Sequence, residues 1–188
     1  MIQKVFLDSE ALLLDSFKLG AMILNSGFLP TYMIAVWRGG TPIGVAVQEF
    51  LQFHGVNTDH IAIRTSSYSG IDEQSSKISV HGLNYLVKNI TQEDRLLVVD
   101  DVLDTGLTIK AIISELERKA RLNTPSEIRV AVPYYKPRRN RTSITPDYFI
   151  HTTEAWLKFP HSLEGLSVEE VAEHRPDLHE ILSEANRW

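Results

Sequence analysis

There is no cysteine among the 188 residues, which excludes disulfide staples, cysteine nucleophiles and thiolate metal sites. A basic excess is also missing. With 19 Lys and Arg against 24 Asp and Glu, the formal net charge is -5, so no global footprint for nucleic acid is expected. No apolar run is long enough to cross a membrane, and the opening MIQKVFLDSEALLL has no basic region followed by a clean apolar stretch. The expectation is a soluble, cytoplasmic protein. Repeats and low-complexity linkers are absent. Two phosphate signatures are absent as well, the Walker loop G-x-x-x-x-G-K-[ST] and the dinucleotide fingerprint G-x-G-x-x-G. The seven histidines show no metal-ligand spacing.

What is present is enough apolar material for one core, 43% hydrophobic against 23% charged residues, and the length favours a single domain. Residues 8–26 read as a helix with Asp8 or Ser9 as cap and Gly27 as stop. YMIAVW (32–37) reads as a strand. Thr41-Pro42 then supply a cap and first-turn proline for a helix reaching Phe53. HIAIR (60–64) is a second strand, followed by the polar stretch TSSYSGIDEQSSK. RLLVV (95–99) is apolar on consecutive positions, as in a strand covered on both faces, and residues 108–120 form the helix after it. EIRVAV (127–132) and DYFIH (147–151) are further strands. Ser167 and Glu170 suit a capping box, and Pro176 the start of a last helix. Strands alternating with helices point to an α/β fold with a parallel sheet, whose ligands bind in loops at the carboxyl ends of the strands.

The most informative run is LLVVDDVLDTGLTI (96–109). The strand ends in Asp100 and Asp101. A turn, Asp104-Thr105-Gly106-Leu107-Thr108, then opens a helix, where free backbone N–H groups and the helix dipole favour an anion. Gly106 permits the tight turn, and the two threonine hydroxyls can donate to phosphate oxygens. Asp100 and Asp101 stand where they can accept from vicinal hydroxyls, directly or through Mg²⁺. Phosphate on one side and a diol on the other describe a ribose 5-phosphate.

VVDDVLDTGLT resembles the phosphoribosyl pyrophosphate (PRPP) signature of the type I phosphoribosyltransferases: an apolar strand, two acidic residues and a T-G-x-T turn. The resemblance runs from about Ile34 to Pro160. It implies a central parallel five-stranded sheet flanked by helices, a core of about residues 30–150, and a small hood built from the N-terminal segment and about residues 151–188. PRPP binding then falls to Arg38, Gly39, Asp100, Asp101, Asp104, Thr105, Gly106, Leu107 and Thr108, and Mg²⁺ to Asp100 and Asp101. In this light Arg38-Gly39-Gly40 resembles the pyrophosphate loop, and Ser67-Tyr68 the dipeptide of a lid that closes over the reaction centre and excludes water.

Three further matches are to the 6-oxopurine branch. Asp104 stands where that branch places a carboxylate at purine N7, the candidate general base. Lys136, in Tyr134-Tyr135-Lys136-Pro137, resembles the lysine that donates to the exocyclic oxygen, a group suited to a carbonyl and not to an amine. Trp156-Leu157 begins a segment similar to W-[IV]-x-x-P, in which the ring stacks on the base and the next residue's backbone reads its edge. There the match departs, because His161-Ser162 stands where the branch continues with Trp-Asp. Recognition of a guanine amino group is thereby in doubt, with Glu164 as a conceivable substitute. The basic cluster Arg138-Arg139-Asn140-Arg141 reads as a solvated loop, a subunit contact or a neighbour of the pyrophosphate.

The resemblance implies purine salvage: transfer of 5-phosphoribosyl from PRPP to N9 of hypoxanthine, guanine or xanthine, by a homodimer or homotetramer with PRPP and a purine base as partners. Two alternatives remain at this level, a relative acting on another base and a PRPP-binding regulator of the same fold.

Overall fold

The computed structural model describes residues 4–68 and 77–185. In chain order the elements are β1 (Lys4–Phe6), α1 (Ser9–Asn25), β2 (Tyr32–Trp37), α2 (Gly40–Phe53), β3 (Asp59–Tyr68), β4 (Lys77–His81), α3 (Asn84–Asn89) and β5 (Arg95–Val99). There follow β6 (Val102–Leu103), α4 (Leu107–Ala120), β7 (Glu127–Tyr135), β8 (Tyr148–Thr152), β9 (Trp156–Lys158), α5 (Val168–His174) and α6 (Pro176–Glu184). The chain divides into two compact units, residues 9–154 and a smaller one made of residues 1–8 with 155–188.

The larger unit is built on one sheet. β3, β2, β5, β7 and β8 lie side by side in that order, every neighbouring pair parallel. These are the five parallel strands expected. Two pieces are additional: β4 runs antiparallel on the outer edge of β3, and the two-residue β6 pairs with β7. Leu96, Leu97, Val98 and Val99 of β5 are all fully buried, which explains why this strand is apolar on both alternating faces. On α4, Ile109, Ile112, Leu116 and Ala120 are buried, a helical stripe of period three to four. In α2 the corresponding set is Ile43, Ala46, Val47 and Leu51.

Three local readings change. The second helix begins at Gly40, so Thr41 lies inside it and does not cap it; its hydroxyl is buried without a hydrogen-bond partner. β3 continues through Ser67 and Tyr68, because β4 returns to pair with it. Polar residues on an edge hairpin carry no apolar alternation, so the sequence signal for a strand there was weak. The backbone of Ser67-Tyr68 thus belongs to a strand, and the rest of the expected lid, residues 69–76, lies outside the described residues. The short helix α3 was not anticipated at all.

In the smaller unit β1 pairs in parallel with β9. Ser167 caps α5: its hydroxyl accepts from the Glu170 amide, and the Glu170 carboxylate accepts from the Ser167 amide. The capping box read from the sequence is therefore present. Pro176 opens α6. Arg175 ties the unit together, its guanidinium donating to the carbonyl oxygens of Lys158, Phe159, Pro160 and Ser162 at 2.8–3.3 Å.

Candidate active site

The chain leaves β2 toward β3 on one side of the sheet and leaves β5 toward β7 on the other. Between β2 and β5 the direction of winding reverses, and such a point opens a crevice at the carboxyl ends of the strands. The loop after β2 carries Arg38 and Gly39; the loop after β5 carries Asp100, Asp101 and Asp104. These are the segments that the sequence singled out, and they touch. A Cβ on Gly39 would lie 1.8 Å from Oδ2 of Asp101, and one on Gly40 2.6 Å from the Val99 carbonyl oxygen and 2.7 Å from the Asp100 Cα. Only residues without a side chain allow the two loops to approach this closely.

The position of the paired carboxylates has a backbone cause. β5 pairs with β7 up to Val99↔Ala131, and β6 resumes in the same register at Val102↔Tyr134. The break lies between them, opposite Val132 and Pro133, and proline has no amide hydrogen to give a ladder. The chain therefore holds one last bond, from the Asp100 amide to the Ala131 carbonyl at 3.2 Å, and turns out at Asp101. Asp100 is buried, and its Oδ1 accepts from the Asp101 amide at 2.9 Å. Burial, and then the adjacent charge of Asp101, pushes the Asp100 carboxyl well above the usual carboxylate range. A buried acid beside a second acid is an arrangement that a cation or several hydroxyl donors would relieve.

Next comes the turn into α4. Gly106 is left-handed at φ 73° and precedes the first helical residue. Gly106 itself has no side chain to cap this 14-residue helix; the Leu107 amide makes a long bond to the Thr105 hydroxyl at 3.4 Å, and a helix start of this kind favours an anion. The turn is braced from behind. Asn140 Oδ1 accepts from the Thr142 amide and hydroxyl, both at 2.9 Å, and the Arg141 amide donates to the Thr105 carbonyl at 2.9 Å. A Cβ on Gly106 would meet Thr142 Oγ1 at 2.4 Å and Asn140 Oδ1 at 2.6 Å, so this glycine is required by conformation and by space.

Asp104 faces two cations. Its Oδ2 lies 3.3 Å from Nζ of Lys136, and its Oδ1 accepts from Nε of Arg139 at 2.5 Å. Lys136 is buried, and its backbone N–H donates to the Leu103 carbonyl oxygen at 3.0 Å. An ammonium and a carboxylate at neighbouring points present a donor beside an acceptor.

Residues 4–170 match the phosphoribosyl transferase domain. The chain belongs to that family.

Over 149 residues this phosphoribosyltransferase is 26% identical to a hypoxanthine-guanine phosphoribosyltransferase of Lactococcus lactis, a match spanning 78% of this chain and 75% of that protein. Among solved structures, a purine phosphoribosyltransferase from Pyrococcus horikoshii superposes with a TM-score of 0.70 at 28% identity, covering 87% of this chain and 97% of that one. The xanthine-guanine-hypoxanthine phosphoribosyltransferase of Helicobacter pylori shares the fold, with a TM-score of 0.63 at 18% identity over 97% and 99% of the two chains.

Within the larger unit the structure brings Arg38, Gly39, Asp100, Asp101 and the 104–108 turn to one edge of the sheet, and Lys136 to Asp104. Trp156 and Leu157 lie in the smaller unit, on β9. The Trp156 indole is half exposed, and a cavity of about 520 Å³ is lined by Lys4, Trp156, Leu157, Lys158, Ser162, Glu164 and Gly165. Among the described residues no group of three or more His, Asp or Glu is placed to hold a metal ion. Sequence reasoning missed Arg139, left inside an undecided basic cluster, and the brace of Asn140 and Thr142. An Asn and a Thr two residues apart are a turn signal, but nothing local says which loop that turn supports.

Proposed function

We propose that this phosphoribosyltransferase is a purine-salvage enzyme, transferring the 5-phosphoribosyl group of PRPP to N9 of a 6-oxopurine. The observation that carries the reading is the pair Lys136–Asp104. On one edge a 6-oxopurine offers a carbonyl oxygen at C6 beside an N–H at N7. Lys136 donates to the first and Asp104 Oδ2 accepts from the second. Adenine presents an amino group to a residue that can only donate, and is rejected.

The remaining roles follow the chemistry of each group. The amides and hydroxyls of residues 105–108 bind the 5-phosphate. Arg38 and the Gly39 backbone bind the pyrophosphate, and Asp100 and Asp101 the ribose hydroxyls. Two carboxylates without a third ligand fit Mg²⁺, a hard cation that is commonly held by one or two carboxylates and completed by substrate oxygens and water. When bound, the ion neutralises charge on the pyrophosphate. As N9 forms its bond to C1 of the sugar, the C1–O bond breaks and its electron pair leaves with pyrophosphate. The purine N7 proton is shared with or passed to Asp104.

The test is pyrophosphate release from PRPP and Mg²⁺ with hypoxanthine, guanine, xanthine and adenine in turn. Release with the oxopurines and not with adenine is expected; release with none of the oxopurines sinks the reading. Asp104→Asn should reduce turnover far more than PRPP affinity. Equal losses in both would assign Asp104 to the phosphate turn alone.

A further inference from the structure

Resting on the reading of a 6-oxopurine as the acceptor, we infer that Arg139 is a positioning residue for Asp104. It holds one carboxylate oxygen so that the other stays presented to the N7 proton and Lys136 stays free for the C6 oxygen. One turn places both cations. Residues 136–139, Lys-Pro-Arg-Arg, close on themselves, the Arg139 amide donating to the Lys136 carbonyl oxygen at 3.1 Å. Proline stands second, where its fixed φ suits a β-turn. The first and fourth residues of such a turn lie close together, so Lys136 and Arg139 reach one carboxylate from a shared base. The next residues tie the loop down: the Arg141 amide donates to the Thr105 carbonyl at 2.9 Å, and Asn140 Nδ2 to the Ile144 carbonyl at 2.7 Å.

The two contacts are unequal. Arg139 Nε donates to Oδ1 at 2.5 Å, whereas Lys136 Nζ stands 3.3 Å from Oδ2, just beyond the usual range of such bonds. The terminal torsion of an aspartate is broad and roughly two-fold, so the carboxylate turns toward whatever pulls on it. With Lys136 alone, a buried ammonium would draw both oxygens to itself, since charges attract more strongly away from water. Donor and acceptor would then satisfy each other before a base arrived. Arg139 pulls the opposite oxygen from the solvent side, where its side chain is half exposed. Oδ2 thereby keeps a lone pair for an incoming N–H, and Lys136 keeps N–H groups for a carbonyl. A planar guanidinium gives this pull a fixed direction. An ion pair so exposed adds little to folding stability, so its loss tests function and not fold.

The experiment measures kcat and KM for PRPP and for hypoxanthine, with Mg²⁺, on the wild type, Arg139→Ala, Arg139→Lys, Asp104→Asn and the double variant Asp104→Asn with Arg139→Ala. Thermal unfolding of each preparation confirms that the variants fold. Arg139→Ala should lower kcat/KM for hypoxanthine by about tenfold, the cost of a misaligned reacting group, and change KM for PRPP by less than about threefold. Arg139→Lys, which returns a cation with a less directed donor, should recover part of the loss. In the Asp104→Asn background the same Arg139→Ala change should cost less than about twofold, because the carboxylate it positions is gone and the two losses do not add. An equal tenfold cost in both backgrounds overturns the inference, since Arg139 would then act independently of Asp104. A loss that falls chiefly on KM for PRPP also overturns it and assigns Arg139 to the phosphates. Arg139→Ala with wild-type kinetics makes the pair an ordinary surface contact. Absence of pyrophosphate release by the wild type with every 6-oxopurine removes the underlying reading, and the inference with it, before any variant is compared.

Discussion

Replacing Asp100 by Asn should make the ligand-free protein more stable while impairing it as an enzyme. Asp100 is buried, and its carboxyl is raised well above the usual range first by that burial and then by the charge of Asp101. A group whose folded pKa exceeds its unfolded value binds more protons in the folded state between the two. Folding stability then falls as pH rises through that window, and the whole penalty is present above it. Asn removes the ionisation but keeps the bond to the backbone, since an amide oxygen can still accept from the Asp101 N–H at the 2.9 Å of the native contact. The gain is the desolvation cost of a buried polar group, about 1–3 kcal/mol. For a chain of this length each kcal/mol moves Tm by roughly 2–4 °C.

The assay is thermal or urea unfolding without Mg²⁺ or PRPP, at pH 7.5 and again near pH 3. Asp100→Asn should be the more stable protein at the higher pH and equal to wild type at the lower, where Asp100 is protonated in both states. Adding PRPP with Mg²⁺ should stabilise wild type more than the variant, because ligands of the native state shift stability by mass action. If Asp100→Asn is less stable than wild type at pH 7.5 without ligand, the premise that this carboxylate is held at a cost for function is wrong.

Two other outcomes test the frame around the site. In Gly39→Ala the new methyl would stand 1.8 Å from Asp101 Oδ2 and 2.4 Å from its Cγ, so the carboxylate must leave its place in the crevice, and kcat/KM for PRPP should fall by about 100-fold, as expected for a displaced reacting geometry. Away from the site, burial pushes the Asp15 carboxyl up, yet bonds from Lys18 at 2.7 Å and His151 at 2.6 Å outweigh it and the net shift is downward. That stabilisation is present above the unfolded pKa and lost as pH falls through the lowered folded one. Asp15→Asn should therefore cost about 1 kcal/mol at pH 7, small because both partners are half exposed, with the difference in urea midpoint closing as pH falls through the lowered folded pKa.

How much of this was legible in the sequence depended on the range of the interaction that fixes each part. β2 and β5 were found at their exact ends because burial on both faces writes itself into consecutive apolar residues, a strictly local signal. The turn 104–108 was equally plain, since a left-handed glycine before a helix is dictated by its own backbone. β3 was cut short, because its last residues are held by pairing with β4 rather than by an apolar pattern. α3, with a single buried residue, Leu86, had too little stripe to read. The same distinction holds within the site. Asp100, Asp101 and Asp104 stand in one run and could be read together, but Arg139 reaches Asp104 across 35 positions, and no spacing rule links them.

That distinction also explains why the proline matters. Pro133 lies just past the strand read from the sequence, 127–132, but inside β7 as it forms, Glu127–Tyr135, and a proline is ordinarily unfavourable in a central strand. Its effect falls on the neighbouring strand: by withholding one amide from the ladder it frees the β5 chain to leave the sheet at Asp101 and return to it at Val102 in unbroken register. The paired carboxylates thus emerge at the crevice because of a residue more than thirty positions away. Asp100 and Asp101 supply the chemistry, and β7 supplies the exit.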